Sequence, residues 1–292
     1  MLPPVARQFV AGETSAEALE HVRRLNELDI NGMLNRLGTH HRDRRRVRDD
    51  ARAYRLLVED VGNTGLEGGV SVKPSQLGLD LGADVFRDSL REVLEAAAPR
   101  DVVVWLDMEA HASTDATLAA FEALAPEYGE GIGVCLQANL KRSREDLDRL
   151  ADLPGKVRLV KGGAYDEPRA VAYRDRDRMD RAYRDLLEAA FERFDDGVAV
   201  ATHDPAMVEH AISLHERYGT PFEIQMLMGV RPDAQVELAK EYDVWQYVPY
   251  GTRWKRYFLN RVTENGRTVR FAARALLEGV RRGDLRSVPA ER

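Results

Sequence analysis

The chain has 292 residues, of which 44% are hydrophobic, so it can bury the core of one large barrel or of two modest domains. Its formal net charge of −6 gives no support to a general nucleic-acid binder, and its single cysteine, Cys135, excludes an internal disulfide framework. No run of 18 apolar residues occurs and the first residues lack the layout of a secretory signal, so we expect a soluble cytoplasmic protein.

Short apolar runs rich in β-branched residues recur along the chain. They predict parallel strands, because strands that are covered on both faces have nearly continuous apolar sequence. The first predicted strand has the weakest pattern, since it contains Asn31 and Asn35. In chain order the predicted strands are residues 29–38, 70–73, 102–108, 132–138, 157–162, 198–203, 222–229 and 244–251.

Helix-length segments lie between these runs, with apolar residues at three- and four-residue spacing. Strands that alternate with helices indicate an α/β protein with a parallel sheet. The clearest predicted helices are residues 84–98, 116–124, 144–150, 180–194, 205–218 and 232–242.

Eight strands without a dividing linker favour one (βα)8 barrel domain over residues 1–292. A helical arm over about residues 1–28 precedes it, and a frayed polar tail over about 281–292 follows it. The alternative is an open doubly wound sheet. Such a sheet usually has a glycine-rich nucleotide-binding turn after its first strand, and the glycines between positions 62 and 69 lack that spacing.

Polar side chains occur near the ends of most of the predicted strands. In barrels the carboxyl ends of the strands carry the chemistry, so these side chains predict a polar ligand site at the barrel mouth. The residues are Lys73, Asp107, Glu109, Gln137, Asn139, Arg158, Lys161, Thr202, His203, Asp204, Glu223, Gln225, Gln246 and Tyr247.

The residue types narrow the chemistry of that site. No Cys/His cluster with ligand spacing is present, so a zinc centre is not expected. Asp107, Glu109, His203 and Glu223 could hold a divalent metal, but nearby cations would compete with it. We therefore predict no metal site. Four cations, Lys73, Arg158, Lys161 and Arg261, instead favour a carboxylate, a phosphate or an anionic cofactor.

Several motifs occur in an order that resembles the proline dehydrogenase family, whose members are flavin enzymes on a distorted (βα)8 barrel. The resemblance covers about residues 25–278, and its strength lies in the order of the motifs. These are residues 71–78 (SVKPSQLG), 105–109 (WLDME), 134–138 (VCLQA), 157–162 (VRLVKG), 201–204 (ATHD), Phe222–Leu227, 247–251 (YVPYG) and the helix Trp254–Glu264.

The resemblance implies FAD held noncovalently over the barrel mouth. Arg158 would lie near the reacting edge of the flavin ring, where a cation stabilises the negative charge gained on reduction. Asp107 falls at the active-site carboxylate of the family. The flavin contacts carried over are Met108, Gln137, Lys161, Gly162, Gly163, Ala164, Thr202 and His203.

The resemblance also implies the substrate and the reaction. L-proline would lose a hydride from Cδ to flavin N5, giving Δ1-pyrroline-5-carboxylate, and the electrons would pass to a quinone. Lys73 and Arg261 would bind the substrate carboxylate, and Tyr247 and Tyr257 would enclose its ring. Tyr257 and Arg261 are four residues apart and share one helix face.

Four positions depart from the family pattern. Asn260 replaces the first of two adjacent arginines at the substrate carboxylate, and a glycine is inserted after Lys161. Thr39 and Asn139 stand where the family usually has glutamate and tyrosine. Loss of one charge-assisted hydrogen bond at position 260 is expected to cost about 1.5–3 kcal/mol of substrate binding.

Two further functions remain open at this point. A flavin-free lyase or aldolase would use Lys73 or Lys161 as a Schiff-base nucleophile, and a binding paralogue would keep the barrel without turnover. Structural roles are the alternatives for individual residues, namely ion pairing for Lys73 and Arg158 and packing for His203 and Tyr257.

Two charged segments outside the mouth have simpler interpretations. The basic run at residues 42–48 is offset by neighbouring aspartates, so we interpret it as a solvated helix face and expect no nucleic-acid partner. The polar tail at 281–292 could make a peripheral contact with an anionic membrane, where a quinone would be available.

Overall fold

In the computed structural model, eight parallel strands close into a barrel in the order β1 to β8. The structure describes the backbone of residues 2–264 and the side chains of residues 2–259. The strands are β1 Ile30–Arg36, β2 Gly68–Val72, β3 Val104–Leu106, β4 Ile132–Gln137, β5 Lys156–Val160, β6 Val198–Ala201, β7 Phe222–Leu227 and β8 Asp243–Tyr250.

Helices follow the strands around the barrel, which confirms the predicted (βα)8 fold and excludes the open sheet. Among the described residues, no helix is both long enough and apolar enough to cross a membrane. The helices are α1 Ser15–Asn26, α2 Arg44–Thr64, α3 Ala83–Ala97, α4 Thr114–Tyr128, α5 Ser143–Leu150, α6 Arg176–Arg193, α7 Pro205–Tyr218, α8 Pro232–Leu238 and α9 Trp254–Glu264.

The weakly patterned first strand is confirmed as β1, and it closes the barrel by pairing with β8 along its whole length. Its two asparagines have partners inside the fold. Asn35 is buried and its amide donates to the carbonyl oxygen of Ser71 at 2.7 Å, while Asn31 donates to the carboxylate of Asp243 at 2.8 Å. Hydrogen bonds to neighbouring strands therefore compensate for the polar residues that obscured this strand.

Some element boundaries differ from the prediction. Helix α6 begins at Arg176, four residues before the predicted start, because the side chain of Asp175 caps it by accepting from the amide of Arg178 at 3.0 Å. Helix α8 ends at Leu238, four residues early. Strand β3 is only three residues long, because pairing with β2 and β4 extends no further.

The N-terminal arm packs against α9. Leu2, Phe9 and Val10 form a small hydrophobic cluster with Phe258, and the rings of Phe9 and Phe258 are 6.1 Å apart. The described part of the arm contains one turn of 3-10 helix and α1. The predicted division of the chain, including the tail at 281–292, extends outside the described residues and stays a prediction.

Alternate residues of β4 face opposite sides of the barrel wall. Val134 and Leu136 belong to the main hydrophobic core, which they share with Leu147 of α5. Gly133 faces inward against Trp105, which is fully buried in the lumen, and a Cβ atom at this glycine would lie 2.4 Å from the indole ring.

Substitution of Gly133 with alanine is therefore expected to lower the free energy of unfolding by about 1–3 kcal/mol, because the added methyl group overpacks the lumen. Urea denaturation would measure the change. Gly131→Ala is the matched control, since nothing lies within 4 Å of its Cβ position. Equal stabilities of the two variants would contradict the packing argument.

Candidate active site

Asp107 follows β3 and is the centre of a hydrogen-bonded cluster in the barrel. Its carboxylate accepts from the hydroxyl of Ser71 at 2.6 Å and from the guanidinium of Arg158 at 2.5 Å. It also accepts from the hydroxyl of Tyr247 at 2.8 Å and from the ammonium of Lys73. Ser71, Arg158 and Tyr247 lie in β2, β5 and β8, and Lys73 is the residue that follows β2. Distant parts of the chain therefore meet at one carboxylate.

The charges in this cluster stabilise one another. Burial alone would raise the pKa of Asp107, but the charges of Lys73 and Arg158 outweigh it and hold this pKa well below its usual value. Burial would lower the pKa of Lys73, yet the charge of Asp107 raises it well above its usual value. Burial and Asp107 raise the pKa of Tyr247. At neutral pH the cluster thus holds one anion, two cations and a neutral phenol.

Arg158 has its guanidinium fixed on several sides. It was predicted at the end of β5 but lies within that strand. Its side chain is almost fully buried. One terminal nitrogen donates to Gln225 at 3.3 Å and contacts the sulfur of Met33 at 3.1 Å. The guanidinium carbon lies 5.1 Å from the centre of the Trp105 ring. The cation is therefore held in one orientation inside the lumen.

The predicted flavin contacts follow adjacent strands of the barrel. Gln137 of β4 pairs in register with Val160 of β5, which pairs with Ala201 of β6. The segments after these strands therefore lie side by side at the mouth. The arc consists of Met108, Gln137, Lys161, Gly162, Gly163, Ala164, Thr202 and His203.

Two of the four departures from the family pattern contact each other. Gly162 and Gly163 both have positive φ, at +83° and +88°, and a Cβ atom on Gly162 would lie 1.9 Å from the side-chain oxygen of Asn139. That oxygen is buried and has no hydrogen-bond partner among the described residues. Asn139 also donates its backbone amide to Lys161 at 3.0 Å. The inserted glycine and Asn139 therefore form one local structure.

Other members of the arc form hydrogen bonds or ion pairs with residues of the protein itself. The amide of Gln137 donates to the carbonyl of Glu109 at 2.6 Å, and His203 accepts from the backbone amide of Leu227 at 2.8 Å. Lys161 forms ion pairs with Asp180 at 2.5 Å and Asp204 at 3.4 Å.

Three of the predicted strand-end residues have other surroundings. Glu109 accepts from the amide and the hydroxyl of Ser75, both at 2.8 Å, and so fixes the segment after β2. Glu223 is the second residue of β7, and Gln246 lies inside β8 and donates to Gln235 at 2.7 Å. The prediction that Glu223, Gln225, Gln246 and Tyr247 end their strands is therefore wrong, since Gln225 is the fourth of six residues in β7 and Tyr247 is the fifth of eight in β8. Among the described side chains, no group of three or more His, Cys, Asp or Glu could hold a metal ion.

Helix α9 carries the remaining substrate candidates. Tyr257 packs against the N-terminal cluster that contains Phe9 and Phe258. The side chains of Asn260 and Arg261 lie outside the described residues, so their roles stay predictions.

Sequence reasoning missed several residues of the site. Ser71 could have been found, because it lies two residues before Lys73 and period-two alternation places both on the same side of the strand. Tyr165 belongs to the loop that the inserted glycine lengthens, but it was given no role in the site. Burial raises its pKa to about 12, and it lies close enough to sense the charges of Glu109 and Arg256.

Matches to known proteins cover nearly the whole chain. The family model described as "Proline dehydrogenase" matches residues 18–274. Proline dehydrogenase 1 of Bacillus subtilis (strain 168) is 34% identical over 277 residues, which cover 94% of this chain and 91% of that protein. A proline dehydrogenase of Deinococcus radiodurans is 35% identical over 285 residues, again 94% and 91% of the two chains.

Solved structures share the fold. The crystal structure of proline utilization A (PutA) from Bdellovibrio bacteriovorus, inactivated by N-propargylglycine, matches with a TM-score of 0.82 at 23% identity. The match covers 89% of this chain and 32% of that one, so this chain spans about a third of the larger protein.

Proposed function

This chain belongs to the proline dehydrogenase family, and from that membership we propose that it oxidises L-proline to Δ1-pyrroline-5-carboxylate with a flavin as the immediate electron acceptor. One observation carries the proposal. Lys73 and Arg158 share the single carboxylate of Asp107, so the buried cluster keeps a net positive charge. Such a site attracts a small substrate that carries a carboxylate.

We assign the substrate contacts to the side of the mouth around Asp107. Lys73, only partly exposed and held by Asp107, would bind the proline carboxylate together with Arg261. Tyr247 stays protonated because of its raised pKa, and it would pack against the pyrrolidine ring together with Tyr257. Asn260 would supply a neutral hydrogen bond in place of a second arginine.

The residues on the other side of the mouth fit a flavin. The buried, unpartnered oxygen of Asn139 can accept a hydrogen bond from a bound group, and leaving it unpaired costs about 1–3 kcal/mol. We propose that FAD is held by the arc that begins at Met108 and ends at His203, with the backbone of Gly162 and Gly163 close to it. When bound, a flavin supplies a two-electron acceptor, and Arg158 would stabilise negative charge beside it.

The electron acceptor beyond the flavin is part of the same proposal. A quinone would take the electrons from the reduced enzyme, as the resemblance implies. We further propose that the protein acts in the cytoplasm with a peripheral membrane contact.

A Schiff-base mechanism is disfavoured by the charges on both candidate lysines. Such a nucleophile must lose its proton, usually through desolvation or a cationic neighbour. The pKa of Lys73 is instead well above its usual value, because the charge of Asp107 outweighs burial. Lys161 is paired with two carboxylates, Asp180 and Asp204. The surroundings of both lysines therefore favour ion pairing over nucleophilic attack.

The test is an absorption spectrum of the purified protein before and after anaerobic addition of L-proline. Flavin bands that bleach on addition are expected. Flavin bands that persist would retain the cofactor and reject proline as the substrate. If the protein takes up no flavin on incubation with FAD, the proposed chemistry is wrong.

Restoring arginine at position 260 is expected to lower the KM for proline roughly tenfold to a hundredfold, because it returns one charge-assisted hydrogen bond worth about 1.5–3 kcal/mol. Steady-state kinetics of Asn260→Arg would measure this. Leu259→Arg adds the same charge at a neighbouring, largely exposed position and serves as the control. An unchanged KM, or an equal fall in both variants, would contradict the assignment of Asn260 to the substrate carboxylate.

A further inference from the structure

A chain of buried polar side chains runs through the barrel lumen from Arg158 to Glu223. The amide oxygen of Gln225 accepts from Arg158 at 3.3 Å, and the amide nitrogen of Gln225 donates to the carboxylate of Glu223. Gln225 and Glu223 are 5% and 7% exposed. Barrel lumens are usually filled by branched aliphatic side chains, so a buried carboxyl here calls for a reason.

The orientation of the Gln225 amide depends on whether each of its two neighbours donates or accepts a hydrogen bond. A guanidinium can only donate hydrogen bonds and an ionised carboxylate can only accept them, whereas an amide does both. With Glu223 ionised, the amide nitrogen must face Glu223 and the oxygen must face Arg158. A protonated Glu223 keeps only an uncharged oxygen to accept from the amide nitrogen, so this hydrogen bond is weaker, and the amide, whose oxygen still faces Arg158, is held less firmly.

The surroundings of Glu223 place its titration in the neutral range. Lys156 of β5 lies 4.0 Å away and favours the ionised form, as does Arg158 from the same strand. Asp243 of β8 pairs in register with Glu223 and opposes ionisation, and β6 contributes the uncharged Ala199. Burial is the largest effect, and it raises the pKa of Glu223 to about 7.

We propose that Glu223 is a positioning residue, which through Gln225 orients the guanidinium of Arg158 against Asp107 and makes that orientation depend on whether Glu223 carries a proton. The effect on catalysis rests on the proposed function, whereas the effect on Arg158 does not. When Glu223 loses its proton, the amide of Gln225 is locked and Arg158 is held by both of its terminal nitrogens. When Glu223 gains a proton, its hydrogen bond with Gln225 weakens, and Gln225 restrains Arg158 less firmly.

The first measurement is made on the protein labelled with 15N-arginine. The Nε–H resonance of Arg158, assigned by its loss in Arg158→Lys, is followed by NMR from pH 5.5 to 8.5. It is expected to shift with a midpoint near 7 in the wild type and to stay constant in Glu223→Gln and in Gln225→Leu. Gln246→Leu removes an equally buried glutamine that has no bond to Arg158, and it should leave the titration intact.

A constant Arg158 resonance in the wild type, or a titration that survives in Gln225→Leu, would overturn the proposal. If Glu223→Gln does not fold, Gln225→Leu answers the same question, because it keeps the carboxyl group and removes the link.

The second measurement is the pH profile of kcat for proline oxidation. In the wild type kcat is expected to fall below about pH 7, whereas Glu223→Gln should give a flat profile that is roughly tenfold lower at pH 8. If the wild type and Glu223→Gln have the same pH profile of kcat, the proposed effect of Glu223 on catalysis is wrong. Failure of every protein to oxidise proline would reject the proposed function, and the arginine resonance would still decide the positioning role.

Discussion

Replacing Asp107 with asparagine is expected to lower the free energy of unfolding by about 3–5 kcal/mol, because the change leaves two buried cations without their counter-charge. Lys73 and Arg158 both pair with this carboxylate, and their side chains are only 19% and 4% exposed. A loss of that size is a large part of the roughly 5–15 kcal/mol that stabilises a typical domain. Urea denaturation at pH 7 would measure it.

The pH dependence gives a second check on the same variant. The folded-state pKa of Asp107 lies below its unfolded value, so the ionised carboxylate adds stability that is complete above the unfolded value and is lost toward lower pH. The advantage of the wild type should be constant above about pH 5 and should shrink below about pH 4. Asp115→Asn is the control, because its partner is Arg142 and its side chain is 82% exposed. We expect it to cost less than about 1 kcal/mol.

Replacing Arg158 with lysine is expected to lower kcat for proline oxidation by about 10²–10³-fold, the usual loss when a charge-stabilising donor is removed from an active site. Lysine keeps the charge but cannot reach Asp107, Ser71 and Gln225 at once, which the guanidinium does with its two terminal nitrogens. The midpoint potential of the bound flavin should fall as well, since reduction adds negative charge beside the cation.

Stopped-flow reduction and a potential titration would measure both effects. Arg217→Lys alters an exposed arginine that pairs with Glu188 at 3.1 Å, and it should leave kcat and the potential unchanged. A loss of less than fivefold in Arg158→Lys, with an unchanged potential, would place Arg158 away from the reacting centre.

Local sequence patterns were sufficient to predict the architecture. Continuous apolar runs such as Ile132–Gln137 identified strands that are buried on both faces, and three- and four-residue spacing identified helices such as Pro205–Tyr218. Both signals depend only on neighbours along the chain. They misplaced the start of α6, which the cap Asp175 sets, and they gave only a weak signal for β1, whose asparagines find partners across the sheet.

The polar groups of the site were only partly predictable. Their predicted position at the carboxyl ends of parallel strands suggested that Lys73, Asp107 and Tyr247 would meet, and the fold brings these three together although Tyr247 lies inside β8. The contact between Asn139 and Gly162 could not be predicted, because it joins the segments that follow two different strands. No pattern within either segment reports that contact.

The order of motifs and the alternation of strand and helix were therefore enough to establish the family and the barrel. Local sequence patterns did not indicate how deep inside the barrel each side chain lies. Alternation with period two assigns each residue to the lumen or the wall, but the stagger between neighbouring strands sets its height in the lumen. For that reason Arg158 reaches Asp107 from within its strand while Glu223 lies deeper, and the hydrogen-bonded path between them exists only in the closed barrel.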